Sequence, residues 1–166
     1  MMQMAPREKL EVSLPNETDV VVTRSFAAPR ALIFDCHTKP ELVKRWLLGP
    51  EGWTMPVCEI DLRPGGTFRY VWRNPDKPDL HLSGEFVEVD RPNRIVHIER
   101  FDEDWAHGME SRVTTIFEAI GGRTRMTMTI RFSSAEVRTA AMATGMTDGM
   151  DTSYDRLEDT ILAEAR

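Results

Sequence analysis

His97 and Glu99 stand two apart in Ile95-Val-His-Ile-Glu-Arg-Phe101, a run whose β-branched and aromatic content predicts a strand. Two apart on a strand means one shared face. On a concave face the pair could act as general base and acid, or hold a polar ligand group. On a convex face it is solvated surface. Val96 and Ile98 are the natural core set, so the sequence assigns the pair to the convex face. His81 meets the same choice in Leu80-His-Leu-Ser-Gly84, where Leu80 and Leu82 read as core and His81 as exposed or at a rim. The four histidines, with His37 and His107, form no HxH or HExxH spacing, which disfavours metal. No GxSxG elbow surrounds a serine. Cys36 and His37 adjoin, but neighbours on a helix do not face each other. No catalytic residue is assigned; His97 and Glu99 are the only adjacent candidates, and nothing calls for a cofactor.

Glu59-Ile-Asp-Leu-Arg-Pro-Gly-Gly-Thr-Phe-Arg-Tyr-Val-Trp72 poses a second question, because glycine-rich loops also cradle phosphates. A phosphate cradle leads into a helix N-terminus. This loop leads into an alternating strand, so Pro64-Gly65 is read as the centre of a type II hairpin turn. Alternation sets Cys58, Ile60 and Leu62 on one face, with Glu59, Asp61 and Arg63 on the other. Asp61 and Arg63 then form a surface ion pair worth under about 1 kcal/mol.

Aromatic and methionine residues carry the stronger signal. Phe68, Tyr70 and Trp72 share one strand face, as do Met126, Met128, Ile130 and Phe132 on another strand. Met142, Met146, Met150 and Tyr154 recur at helical spacing. Such a surface suits either a plain core or an apolar pocket. Gly145 and Gly149 interrupt the helical stripe, so either something approaches the backbone there or the helix bends. A cavity between sheet and helix would be lined by Trp53, Tyr70, Trp72, Phe101, Met126, Met128, Met146, Met150 and Tyr154. Arg24, which alternates with Val20, Val22 and Phe26, is its expected charged anchor.

The elements that must position these residues follow one order. Asp19–Phe26 is a first strand. Pro29 opens a short helix ending near Thr38. Thr38-Lys-Pro-Glu41 has capping-box spacing for a second short helix, which stops at Gly49-Pro50. Six strands follow: Met55–Leu62, Thr67–Trp72, Leu80–Val89, Ile95–Phe101, Ser111–Ala119 and Arg125–Phe132. Ser133-Ser-Ala-Glu136 is a second capping box, and one long continuous amphipathic helix closes the chain. An antiparallel sheet of about seven strands, curved around a long helix, is the expected α+β architecture. Residues 1–17 are read as a polar arm with a short strand near Leu10–Leu14, and 18–166 as one domain.

The balance of charges narrows the partners. A chain of 166 residues with net charge −6 disfavours nucleic acid. No run of about twenty apolar residues exists to span a membrane, and the first residues lack a secretory signal pattern. Two cysteines without CxxC spacing read as buried thiols in a reducing cytoplasm.

Four segments, "RSFAAPRALIFDCHTKPELVKRWLLGPEGW", "EIDLRPGGTFRYVW", "SGEFVEVDRPNRIVHIERF" and "TGMTDGMDTSYDRLEDTIL", resemble the SRPBCC superfamily. Within it they resemble the branch named after the activator of the heat-shock chaperone ATPase (AHSA-like). The resemblance runs from about Asp19 to Ile161. It implies the helix-grip fold, shared with START lipid-transfer domains and the birch-pollen allergen. Members include lipid and hormone binders, polyketide cyclases and a co-chaperone domain, and fold alone does not choose among them. Many relatives carry Trp where Met150 stands here, and paired Trp where this chain has Trp46-Leu47. The leading expectation is a non-catalytic protein binding an apolar, aromatic or lipid-like small molecule. The alternatives are a cyclase- or hydrolase-like enzyme using the same cavity, and a chaperone-associated stress-response module. A chaperone and a second copy of the chain, as a homodimer, are the protein partners left open.

Overall fold

The computed structural model describes residues 8–165. Eight strands form one antiparallel sheet: β1 (Glu11–Ser13), β2 (Asp19–Phe26), β3 (Thr54–Ile60), β4 (Thr67–Asn74), β5 (Lys77–Asp90), β6 (Arg94–Phe101), β7 (Ser111–Ile120) and β8 (Arg123–Arg131). Their order is β1-β2-β8-β7-β6-β5-β4-β3. From β3 to β8 the strands follow in sequence, each folding back on the last, as the turn spacing predicts. β2 returns to pair with β8, with Val20 opposite Ile130 and Arg24 opposite Met126. The eighth strand, β1, falls inside the stretch read as an arm and pairs with β2 through Val12 and Val22.

Helices α1 (Arg30–Thr38) and α2 (Pro40–Trp46) connect β2 to β3. Pro29 is the N-cap of α1, one step earlier than its expected place. The Thr38 capping box does not form: Thr38 is buried and donates its hydroxyl back to the Phe34 carbonyl (2.9 Å). Lys39 takes the N-cap place, and Pro40 begins α2, because the fixed proline φ suits a first turn. The later capping box is shifted by one residue, so Ser134 caps α3 (Ala135–Ala143) by accepting from the Val137 amide (3.1 Å).

The closing helix is not continuous. Gly145, at φ 79°, ends α3 and opens α4 (Met146–Leu157), and Glu158–Leu162 wind on as a π turn. A left-handed residue cannot continue a right-handed helix, so the chain turns there. No neighbour crowds the space a Gly145 side chain would fill, which decides between the two sequence readings in favour of a break.

The proline–glycine hairpin forms as expected. Gly65 has φ 82°, its amide donates to the Phe86 carbonyl (2.8 Å), and Arg63 chelates Asp61 (2.9 and 3.1 Å). The core lies on the sheet face that meets the helices, with Phe26, Ile33, Phe34, Trp46, Phe117, Met126 and Leu157 at or near zero exposure.

Candidate functional site

Between the sheet and α4 lies a cavity of about 580 Å³, within the range of small-molecule sites. Its floor is built by alternation. β4 contributes Phe68, Tyr70 and Trp72; β5 contributes Leu80, Leu82 and Phe86; β6 contributes Ile95, His97, Glu99 and Phe101. Met128, Ile130 and Phe132 on and just after β8 extend it. The roof is Met146, Gly149, Met150, Ser153 and Tyr154, and the segment Leu47–Pro50 walls one side. Trp72 holds that wall by donating its indole N–H to the Leu47 carbonyl (2.7 Å). Ser153 accepts from the Gly49 amide (2.8 Å), and Arg156 donates to the Trp46 and Gly49 carbonyls, so the wall is tied to α4.

Eight of the ten expected lining residues border this space: Trp53, Tyr70, Trp72, Phe101, Met128, Met146, Met150 and Tyr154. Met126 does not; it is fully buried, with its sulfur 3.1 Å from the Tyr154 hydroxyl oxygen. Arg24 does not either. Its side chain has no exposure and lies among Asp151 (3.5 Å), Asp155 (3.1 Å) and Glu158 (3.9 Å) of the closing helix. Arg24 therefore fastens that helix to β2 and is not a ligand anchor. Its Nε and Nη1 make no hydrogen bond, and the guanidinium faces the rings of Phe26 and Tyr154 instead (5.5 and 6.0 Å).

The face assignment of β6 is overturned. His97 and Glu99 point into the cavity, joined by a 3.1 Å contact between His97 Nε2 and Glu99 Oε2. Their side chains keep only 18 and 16 % exposure. Ile95 and Phe101 share their face, while Val96 is buried (1 %) outside the core cluster. The strand is apolar on both faces, which removes the signal that alternation normally gives. A carboxylate-oriented imidazole inside a cavity is chemically equipped to accept or move a proton. Nearby, burial, with smaller effects of Cys58 and Glu99, pushes the Tyr70 phenol upward and keeps it neutral.

His37 borders the cavity beside Tyr154, and the sequence reading missed it. Its Nδ1 lies 2.7 Å from the Ile33 carbonyl, which can only accept, so Nδ1 carries the proton. Nε2 is then free to accept from the Tyr154 hydroxyl (3.0 Å). Rings of Trp46 and Phe117, both at 5.1 Å, enclose the imidazole, and what exposure it has opens into the cavity. Burial lowers its pKa to about 4 from an ordinary 6.5, opposed weakly by the backbone bond to Ile33. A depressed base is protonated more readily in the unfolded chain, so the stability it supports is complete above about pH 6.5 and is lost as pH falls toward 4. The loss should reach roughly 3 kcal/mol, because each tenfold difference in proton affinity between the folded and unfolded chain is worth about 1.4 kcal/mol. Urea titrations at about pH 7 and about pH 4 should show it, and His37→Gln should flatten it. A wild-type stability that stays level over this range would refute a buried neutral His37.

Cys36 is buried and Cys58 half-buried; both are free, and burial pushes their thiols up to about 12 and about 11. Neither is a nucleophile at neutral pH. Among the described residues no three His, Cys, Asp or Glu gather as metal ligands, and no helix is long and apolar enough to cross a membrane.

An antiparallel sheet curved against a closing helix, with a cavity between them, defines a helix-grip protein. The chain belongs to the family described as Activator of Hsp90 ATPase homolog 1-like protein, whose profile matches residues 27–161. A solved structure from Rhodobacter sphaeroides is similar at 29% identity and a TM-score of 0.87, covering 94% of this chain and 99% of that one. A Nitrosomonas europaea protein is similar at 26% identity and TM-score 0.77, covering 92% and 99%. An AHSA1 protein from Silicibacter pomeroyi shares the fold at 23% identity and TM-score 0.71, covering 88% and 99%. No curated protein matches the sequence.

Proposed function

We propose that the protein is a small-molecule-binding module that takes an apolar, aromatic or lipid-like ligand into the space between sheet and α4. The observation that carries this reading is an unfilled volume of about 580 Å³ walled by aromatic and methionine side chains. Its size and apolar lining match those of small-molecule sites, which supports this reading. Native mass spectrometry of the protein as purified, and displacement of an apolar fluorescent dye, test the reading. Failure to bind any dye, with no co-purified molecule, would sink it.

Met150→Trp gives a sharper check. Met150 is half-buried at the roof of the cavity. The larger ring should enter vacant space, leaving stability within about 1 kcal/mol of wild type while dye affinity falls about tenfold. A destabilisation of about 1–3 kcal/mol would instead mark Met150 as packed core.

A second reading, turnover in the same cavity, is favoured by one observation: His97 and Glu99 share it. Its signature is a substrate whose conversion is abolished by His97→Ala while its binding persists. Membership of a family described by activation of the Hsp90 ATPase supports a third reading, a chaperone-associated module. Stimulation of a chaperone's ATP hydrolysis by the purified protein tests it directly.

A further inference from the structure

The chemistry of the cavity wall narrows the ligand further, and this step rests on the binding reading above. We propose that the cavity takes an amphiphilic amine, an apolar body carrying one protonated nitrogen, with that nitrogen held at the Glu99 carboxylate among the aromatic rings.

The polar groups around Glu99 leave acceptor positions open, although the Tyr70 hydroxyl can also donate. A carboxylate offers about four lone-pair directions. Among the described residues Glu99 has one side-chain partner, His97. The second ring nitrogen of His97 and the Tyr70 hydroxyl have no hydrogen-bond partner among the described residues, and neither atom is sealed from the cavity. A ligand that donates can fill all three; one that only accepts gives the half-buried Glu99 no new partner.

Cations are kept out of the interior. The one Lys or Arg among the lining residues is Lys77, whose ammonium lies 5.9 Å from the Trp53 ring. Arg24 is sequestered under α4 by three acids. A fatty-acid carboxylate placed at Glu99 would therefore meet a like charge, an unfavourable contact.

The rings that line the same cavity as Glu99 complete the case. Phe68 stands edge-on to His97 at 5.1 Å, and Tyr70 is perpendicular to Trp72 at 5.8 Å. Trp72 stacks on Phe101 at 6.5 Å with 21° between planes. Aromatic faces beside a carboxylate are the standard surroundings for an organic cation. The net charge of −6 also draws cations toward the protein.

Three probes with one tail separate the possibilities: decylamine, decanol and decanoate, each below its aggregation threshold and in enough salt to screen long-range attraction. Displacement of an apolar dye reads their affinities. Decylamine should bind at least about tenfold more tightly than decanol, and decanoate weakest of the three. Glu99→Gln should shrink the preference of decylamine over decanol at least about tenfold, to near parity. Decanoate binding as tightly as decylamine would overturn the inference while leaving the cavity reading intact. Glu99→Gln that preserves the amine preference would also overturn it. Binding of none of the three, with no dye bound, would remove the cavity reading itself. The three wild-type affinities decide the order by themselves should Glu99→Gln fail to fold.

Discussion

Gly84→Ala should destabilise the protein by about 3–5 kcal/mol. Gly84 lies on β5 between Leu82 and Phe86, opposite Phe68 on β4 and Glu99 on β6. A Cβ there would stand 1.9 Å from the Ile98 carbonyl oxygen and 2.7 Å from the Phe68 ring. The ring could swing away, but the carbonyl belongs to the β5–β6 ladder and cannot move without breaking it. The missing side chain is also what lets the Phe68 ring lie over the strand and reach His97. Guanidinium titration of wild type and Gly84→Ala measures the difference. Unchanged midpoints would show that the ladder yields far more easily than its geometry implies.

Arg24→Ala should cost about 3 kcal/mol or more, the range found when one member of a buried charged cluster is removed. The substitution leaves Asp151, Asp155 and the nearly buried Glu158 without this cation. It also empties the space between Phe26 and Tyr154. Asp151 and Asp155 remain 35 and 39 % exposed, so water relieves part of their repulsion and holds the loss toward the lower end. Arg24→Lys should recover part of the stability, since charge is kept while the planar fork is lost. Neither variant alters a cavity-lining residue, so dye affinity per folded molecule should hold. A tenfold fall in affinity with stability intact would return Arg24 to the ligand.

The strands and turns are legible because their signals are local. Pro64-Gly65 and Gly121-Gly122 mark reversals by chemistry that needs no partner, and Phe68, Tyr70 and Trp72 alternate without ambiguity. β6 resists such a reading because Ile95, Val96 and Ile98 are apolar on both faces, so period two carries no phase. Phe101, expected in the cavity, shares a face with His97 and Glu99, and that agreement is the available clue. Helical spacing finds Tyr154, but its partner His37 lies 117 positions away and shows only as a histidine in an apolar helix. Arg24 misleads for a similar reason. Its inward direction is readable from Val20, Val22 and Phe26, whereas its acids arrive with α4. The break at Gly145 hides within an unbroken spacing of four from Met142 to Tyr154, because both helices present methionine on the same side.

Past that break, α4 carries two duties at once. Met146 and Met150 border the cavity from the first half of α4, while Asp151, Asp155 and Glu158 hold Arg24 from farther along. α3, beyond the Gly145 joint, carries neither duty in the cavity nor one in that cluster. Met146 and Met150 make none of these ion pairs, so exchanges at these two roof positions leave the Arg24 cluster untouched. Drift at these two roof positions would reshape the space beneath them and leave the fastening of α4 to β2 in place.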